Sequence, residues 1–399
     1  MRPAAWKSAV AAIFVCGWGG NQFTPLLVMY RQAGHSALMV NTLLGAYVLG
    51  LFPGLLFAGG LSQRFGRRAV MIAGVVASLT ASVSLAAGEY GAGWLAAGRF
   101  VTGFGVAAAM AVGTTWVTEL SACSGSDSRT GAGRAALALT TGFGIGAGVA
   151  GALAQWGPAP MVLPYVVHVV LALAVLPLLY RLPETGCLGG SPRPRWGGVR
   201  HPRFRKAVLP MAPWIFGAAG VAYAIMPQLV GDRLGSLALA YSTLLTVGTL
   251  GAGALIQPVA KRLDRPTSAR AVAVSMGVMS VGLALSVVAA VAGSPVLALV
   301  AALGLGCAYG LAVVSGLLEL QRFSRPEELA DTTGVYYAFA YLGFLLPALL
   351  SLLSAVATYP VLLGGLVVLA LAATGVILRY SKADLPARET AERQAEPVG

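Results

Sequence analysis

Hydrophobic positions along the chain fall in long unbroken runs, without the alternation of a half-buried strand or the single apolar face of a soluble helix. Each run is about 20 residues long, enough to carry an α-helix across a bilayer. Six runs lie at 8–30, 37–58, 69–88, 93–118, 135–156 and 160–180. A polar stretch from Arg181 to Lys206 follows, then six more runs at 207–230, 236–259, 271–292, 295–318, 332–354 and 358–379. The pattern predicts an all-α membrane protein with twelve transmembrane helices. Residues 1–180 would form one six-helix bundle, 181–206 a basic cytoplasmic linker, 207–380 a second six-helix bundle, and 381–399 a disordered cytoplasmic tail.

Composition closes the alternatives. Of 399 residues, 57% are hydrophobic and only 10% charged, whereas soluble proteins carry about 25% charged residues. Such a chain cannot clothe a water-facing surface. Its 52 glycines would weaken helices in water, but in lipid small residues let helices approach closely. The first run exceeds the apolar core of a signal peptide and contains Asn21 and Gln22, so it reads as a retained helix.

The net charge of +13 sits in short clusters between the runs, not in the water-facing stripe that nucleic acid requires. With the N-terminus inside, every Lys and Arg except Arg31, Arg99 and Arg233 is cytoplasmic. That asymmetry places both termini in the cytoplasm, with the protein spanning the plasma membrane. Cys16, Cys123, Cys187 and Cys307 form no metal-ligand spacing, and neither a metal nor a cofactor is expected. Without a phosphate-binding loop, drive by ATP within this chain is not expected.

The two groups of six runs echo each other. Gly59-Gly-Leu-Ser-Gln-Arg-Phe-Gly-Arg-Arg68 follows the second run, and Gln257-Pro-Val-Ala-Lys-Arg-Leu-Asp-Arg-Pro266 follows the eighth. Gly103-Phe-Gly105 precedes Glu119 in the fourth, as Gly304-Leu-Gly306 precedes Glu319 in the tenth. Parallel repeats of this kind are a transporter plan. Here the chain resembles the major facilitator superfamily over essentially its full length. Gly59, Leu61, Arg64, Gly66, Arg67 and Arg68 match that family's loop signature, with Gln63 in place of its Asp. Arg99-Phe-Val-Thr-Gly103-Phe-Gly105 resembles its fourth-helix motif. Gly142-x-x-x-Gly146-Ala147-x-x-Ala150-Gly151 resembles its antiporter-type fifth-helix motif, with Ala147 in place of Pro. Leu182-Pro-Glu-Thr185 resembles the tetrapeptide that closes its sixth helix.

The resemblance implies a secondary transporter, not an enzyme, that exports a small amphipathic drug or metabolite by alternating access, with protons as candidate co-substrate. An importer or uncoupled facilitator of the same fold is the closest alternative. A receptor or a membrane-bound transferase would need larger loops or acidic and histidine clusters. A monomer in a lipid bilayer is expected.

Site expectations follow. Asn21, Gln22 and Arg99 are polar groups in apolar runs, and lining a wet cavity would offset the cost of placing them there. Trp214, Tyr223, Tyr309 and Tyr336 are aromatic candidates for the cavity wall, with Tyr337 and Tyr341 beside them. Arg67 or Arg68 would latch onto Glu119, supported by Gly59, Gln63, Arg64 and the turn at Gly66. Arg99 and His168 are the candidate proton sites, with helix packing the favoured role for His168. No carboxylate falls at mid-membrane, which disfavours a strongly cationic substrate and suits a neutral, amphipathic or anionic one.

Overall fold

The computed structural model describes residues 5–185, 197–325, 328–383 and 385. Cys187, Arg193, Arg195 and the expected disordered tail beyond 385 lie outside the described residues. Among the described residues eleven helices are long and apolar enough to cross a membrane: α2 (Ala37–Phe65), α3 (Arg67–Tyr90), α4 (Ala92–Ala122), α5 (Thr130–Trp156), α6 (Leu163–Tyr180), α7 (Phe204–Arg233), α8 (Gly235–Leu263), α9 (Arg270–Ala292), α10 (Pro295–Phe323), α11 (Asp331–Leu353) and α12 (Tyr359–Tyr380). They are preceded by α1 (Ala5–Asn21), a 3-10 turn at Thr24–Leu26 and a short helical piece, Leu27–Gln32. The protein is an all-α, multi-pass membrane protein, and its first crossing is broken.

Sequence explains the break. Pro25 has no N–H to give to the carbonyl of Asn21, one helical turn back. The glycines just before it add little helix stability. The corresponding long helix of the second group, α7, widens to a π-helical turn at Val221–Ile225, just ahead of Pro227. The two irregularities thus fall in the first crossing of each group, and π-turns of this kind recur at functional sites.

Glycine sets how closely the helices pack. A side chain at Gly50 would overlap the carbonyl of Phe100, and one at Gly103 would overlap the backbone of Tyr47 and Leu51. Helices α2 and α4 therefore touch backbone to backbone. The same packing recurs between α8 and α10, where Gly306 lies on the carbonyl of Thr249 and Gly310 on that of Gly253. Between lipid-immersed helices, such contact replaces the hydrophobic effect as the source of cohesion.

Candidate substrate site and gates

Arg99 lies seven residues into α4, about 10 Å along the helix. It is 1% exposed. Its Nη1 donates to the carbonyl of Gly20 at 3.3 Å and its Nε to that of Leu43 at 3.4 Å. The rings of Phe23 and Tyr47 lie 4.8 and 4.5 Å from the guanidinium carbon. The broken end of α1 supplies both the Gly20 carbonyl and the Phe23 ring. No carboxylate of a described residue pairs with this cation.

Tyr47 also carries the site across to the second group of helices. Its ring meets Tyr341 and Phe344 of α11 at 6.0 and 6.1 Å. Phe216 of α7 stacks on Tyr341 at 4.0 Å and tilts against Tyr309 at 5.6 Å. Tyr223 reaches Phe344 at 6.2 Å. A continuous aromatic seam thus runs from Arg99 through α2 to α7, α10 and α11. Trp214 is half-buried against the same core. Tyr336 is turned inward instead: its hydroxyl donates to the carbonyls of Ala312 and Val313, in space left by Gly316. The sequence singled out Tyr223 and Tyr309 but missed Phe23, Tyr47, Phe216 and Phe344. Their only signal was an aromatic ring in an apolar run, which is equally the mark of a lipid-facing residue.

Asn21 and Gln22 face the inside of the first group. Asn21 donates to the carbonyl of Phe143 at 3.4 Å and accepts from Thr24 at 2.7 Å. The Gln22 amide donates to Ser82 at 2.7 Å, Ser82 lies 2.8 Å from Nδ1 of His168, and Nε2 of His168 lies 2.9 Å from the carbonyl of Val15. A neutral His168 satisfies this chain if Ser82 donates to Nδ1 and Nε2 donates to Val15. The histidine ties α1, α3 and α6 together.

At the end of the molecule carrying the basic loops, Arg67 pairs with Glu119 at 3.1 Å. Thr185 also donates to Glu119. The carboxylate of Glu184 accepts from the amides of Arg67 and Arg68 at 2.7 and 3.0 Å, capping the start of α3. Gly66 makes this possible, because its φ of 94° suits glycine and a side chain there would strike Glu184. Arg68 reaches the carbonyl of Leu182. Gly59 meets nothing within 4 Å, and Gln63 and Arg64 are exposed. The whole network joins α3, α4 and the end of α6 within the first group of helices. A second network, unforeseen from sequence, mirrors it: Arg203 binds Glu319 at 2.6 Å with both side chains buried, and Arg322 bridges Glu319 and Asp264.

Two hydrogen-bonded contacts join the groups at the opposite end. Asn41 of α2 donates to Ser351 of α11 at 2.7 Å and to Gln228 of α7 at 3.4 Å; Gln228 in turn donates to Tyr359 at 2.8 Å. Gln155 of α5 donates to the carbonyl of Ser236 at 2.9 Å and accepts from the amide of Ala240 at 2.8 Å. Toward the basic end from this seal, α5 and α8 part around an apolar crevice of about 450 Å³, lined by Thr140, Gly144, Gly148, Val247 and Gly251 among others.

The glycines of α5 therefore divide between two neighbours. Gly142 and Gly146 press on α1 at Phe14 and Trp18, Ala147 is buried, and Gly151 faces Thr243 of α8. Gly144 meets nothing within 4 Å. Gly142→Ala is expected to lower the thermal midpoint by several degrees, since the obstruction is the Phe14 backbone. Gly144→Ala should leave it unchanged. Thermal unfolding of the two purified variants checks the contrast.

A family model described as Major Facilitator Superfamily matches residues 9–348. No curated protein sequence matches the chain. Among solved structures it is similar to a D-xylose–proton symporter, with 16% identity, TM-score 0.69, and 96% of this chain and 97% of that one covered. It is similar to the xylose transporter XylE from E. coli in a partially occluded inward-open conformation, with 15% identity, TM-score 0.70, and coverage of 94% and 98%. It is also similar to a variant of the nucleoside transporter NupG, with 11% identity, TM-score 0.73, and coverage of 95% and 99%.

Proposed function

The chain belongs to the major facilitator superfamily, and on that premise we propose that it exports a small amphipathic organic compound across the plasma membrane by alternating access. The two six-helix bundles, 1–180 and 207–380, rock about the seam between Arg99 and the α7, α10 and α11 aromatics. Both termini are cytoplasmic, so the seal of Asn41 and Gln155 is the outer gate and the α5–α8 crevice opens toward the inside.

The observation that carries this reading is the seal. It joins the bundles by hydrogen bonds at one end, while below it α5 and α8 part and α2 and α11 stay in contact, with Leu55 beside Gly334. The ion-pair networks, by contrast, each tie one bundle to its own end of the linker, through Glu184 and Thr185 in the first and Arg203 in the second, so the Arg67–Glu119 latch acts as a brace that keeps the first bundle rigid while it rocks. Small residues on α5, at Gly144, Gly148 and Gly151, face the moving boundary. An importer of the same fold, or a carrier of sugars or nucleosides like the solved structures named above, is the second reading. The wall favours the first, because beyond Arg99 the named seam residues are rings, four of them tyrosines, with no amide or carboxylate side chain among them.

The test has two parts. Purified protein in proteoliposomes should carry amphipathic dyes; no flux of any compound, under a proton gradient, a sodium gradient or neither, would count against a transporter. The gate itself is tested with Asn41→Ala/Gln155→Ala. Removing their four hydrogen bonds, each worth about 1 kcal/mol net, should shift the population toward outward-open roughly 1,000-fold. Spin labels at positions 38 and 353 should then move apart, and an unchanged distance would remove these residues from the gate.

A further inference from the structure

Two buried arginines in this protein have opposite surroundings. Arg203 is 1% exposed and holds Glu319 at 2.6 Å. Arg99 is equally buried, yet it has only two carbonyls and two ring faces. A guanidinium offers five N–H donors and keeps its charge at physiological pH. Two of its nitrogens are engaged here, with long hydrogen bonds, and the positive charge has no counter-charge among the described residues. Glu119 and Glu319, the acids set farthest into the helices, lie near the basic ends and are already paired. A buried charge left this way is costly unless something completes it.

From this we infer that the substrate supplies the missing anion: the protein carries small organic anions with an aromatic body, and the membrane potential drives their export. The inference rests on the transporter reading above and adds to it the substrate's charge and the energy source. The carboxylate or sulfonate of the substrate would take the place at Arg99 that Glu319 takes at Arg203. Its rings would enter the seam between Phe216, Tyr341 and Phe344, where aromatic stacking is already the mode of contact.

Charge then sets direction. The empty site carries one positive charge and the loaded site none. The electric field falls across whichever gate is shut, so Arg99 takes the potential of the side to which it is open. An inside-negative membrane draws the empty site inward and leaves the loaded site indifferent. Each cycle moves one negative charge out, and no proton or sodium ion is required. A potential of 100 mV sustains a gradient of about 50-fold for one charge.

The test uses naphthalene-2-sulfonate, which stays charged at any working pH, and its neutral sulfonamide. In proteoliposomes a lumen-positive potassium diffusion potential of about 100 mV should accumulate the sulfonate up to about 50-fold. Collapsing a pH gradient should not alter this, and the sulfonamide should not accumulate. Arg99→Gln should abolish the response to potential, while Arg99→Lys, which keeps the charge and guards against misfolding, should retain part of it. Accumulation that follows the pH gradient and ignores the potential would overturn the proposal. So would sulfonate transport that survives in Arg99→Gln, or flux of neutral or cationic amphiphiles without flux of the sulfonate. Those results would leave the protein a transporter; absence of flux for every compound would instead overturn the transporter reading itself.

Discussion

Glu319→Ala should destabilise the protein by about 3–5 kcal/mol, the usual cost of stranding one member of a buried ion pair. Arg203 is the stranded partner. It is 1% exposed, and with Glu319 gone its remaining contacts are the carbonyls of Ser381 and Ala383. Arg322 loses one of its two acids and keeps Asp264. Three elements then come loose together: the approach to α7, the end of α10 and the segment after α12. Glu119→Ala provides the comparison. Its partnership with Arg67 has the same chemistry, but the side chains are 31% and 20% exposed. Water takes over much of the lost interaction, and the cost should stay near 1 kcal/mol. Thermal unfolding in detergent, followed by tryptophan fluorescence, would rank the two variants. Equal losses would mean that burial at Glu319 does not govern the energetics. Replacing both Arg203 and Glu319 with apolar residues should recover most of the stability, since the desolvation cost disappears with the charges.

Gly103→Ala should cost about 3 kcal/mol or more and lower the yield of folded protein. One methyl group is added, but it meets the backbone of Tyr47 and Leu51. A flexible side chain could swing aside; a helix backbone cannot, so α2 and α4 must separate along their length. Separation would also pull Tyr47 away from Arg99, so any folded fraction should transport poorly. Gly304→Ala is the matched control on α10. Its nearest neighbour would be the Cα of Gly282 at 3.9 Å, an ordinary contact. Little change is expected there, although both glycines belong to the same repeated pattern. Comparable losses in the two variants would rule out the backbone contact at Gly103 as the cause, since Ala is the better helix former at both positions.

These contrasts mark what could be read in the sequence. The twelve apolar runs were legible because a bilayer fixes helix length and excludes charge, leaving a signal in each segment taken alone. The turn at Gly66 and the acid at Glu119 were legible through the family's motif. The Asn41–Ser351 and Gln155–Ala240 contacts were not. Each joins residues far apart in the chain, and an amide near the end of an apolar run looks the same whether it meets water or another helix. Arg203 was hidden for a different reason. It stands among Arg200, Arg205 and Lys206, and only the arrival of α10 beside it separates a buried ion-pair partner from a membrane anchor. Tyr47 was missed because its importance comes from the two things it touches, Arg99 and α11. Neither lies near it in sequence.

The seal at the end away from the basic loops has a consequence for how the protein responds to its surroundings. Its members are amides, hydroxyls and backbone groups, with no ion pair among them. Those hydrogen bonds carry no formal charge for salt to screen; the nearby charge is Arg31, which interacts with Tyr359 and with Asp232. A change of ionic strength would therefore act on this end of the molecule through Arg31 and Asp232 and leave the seal's own hydrogen bonds as they are.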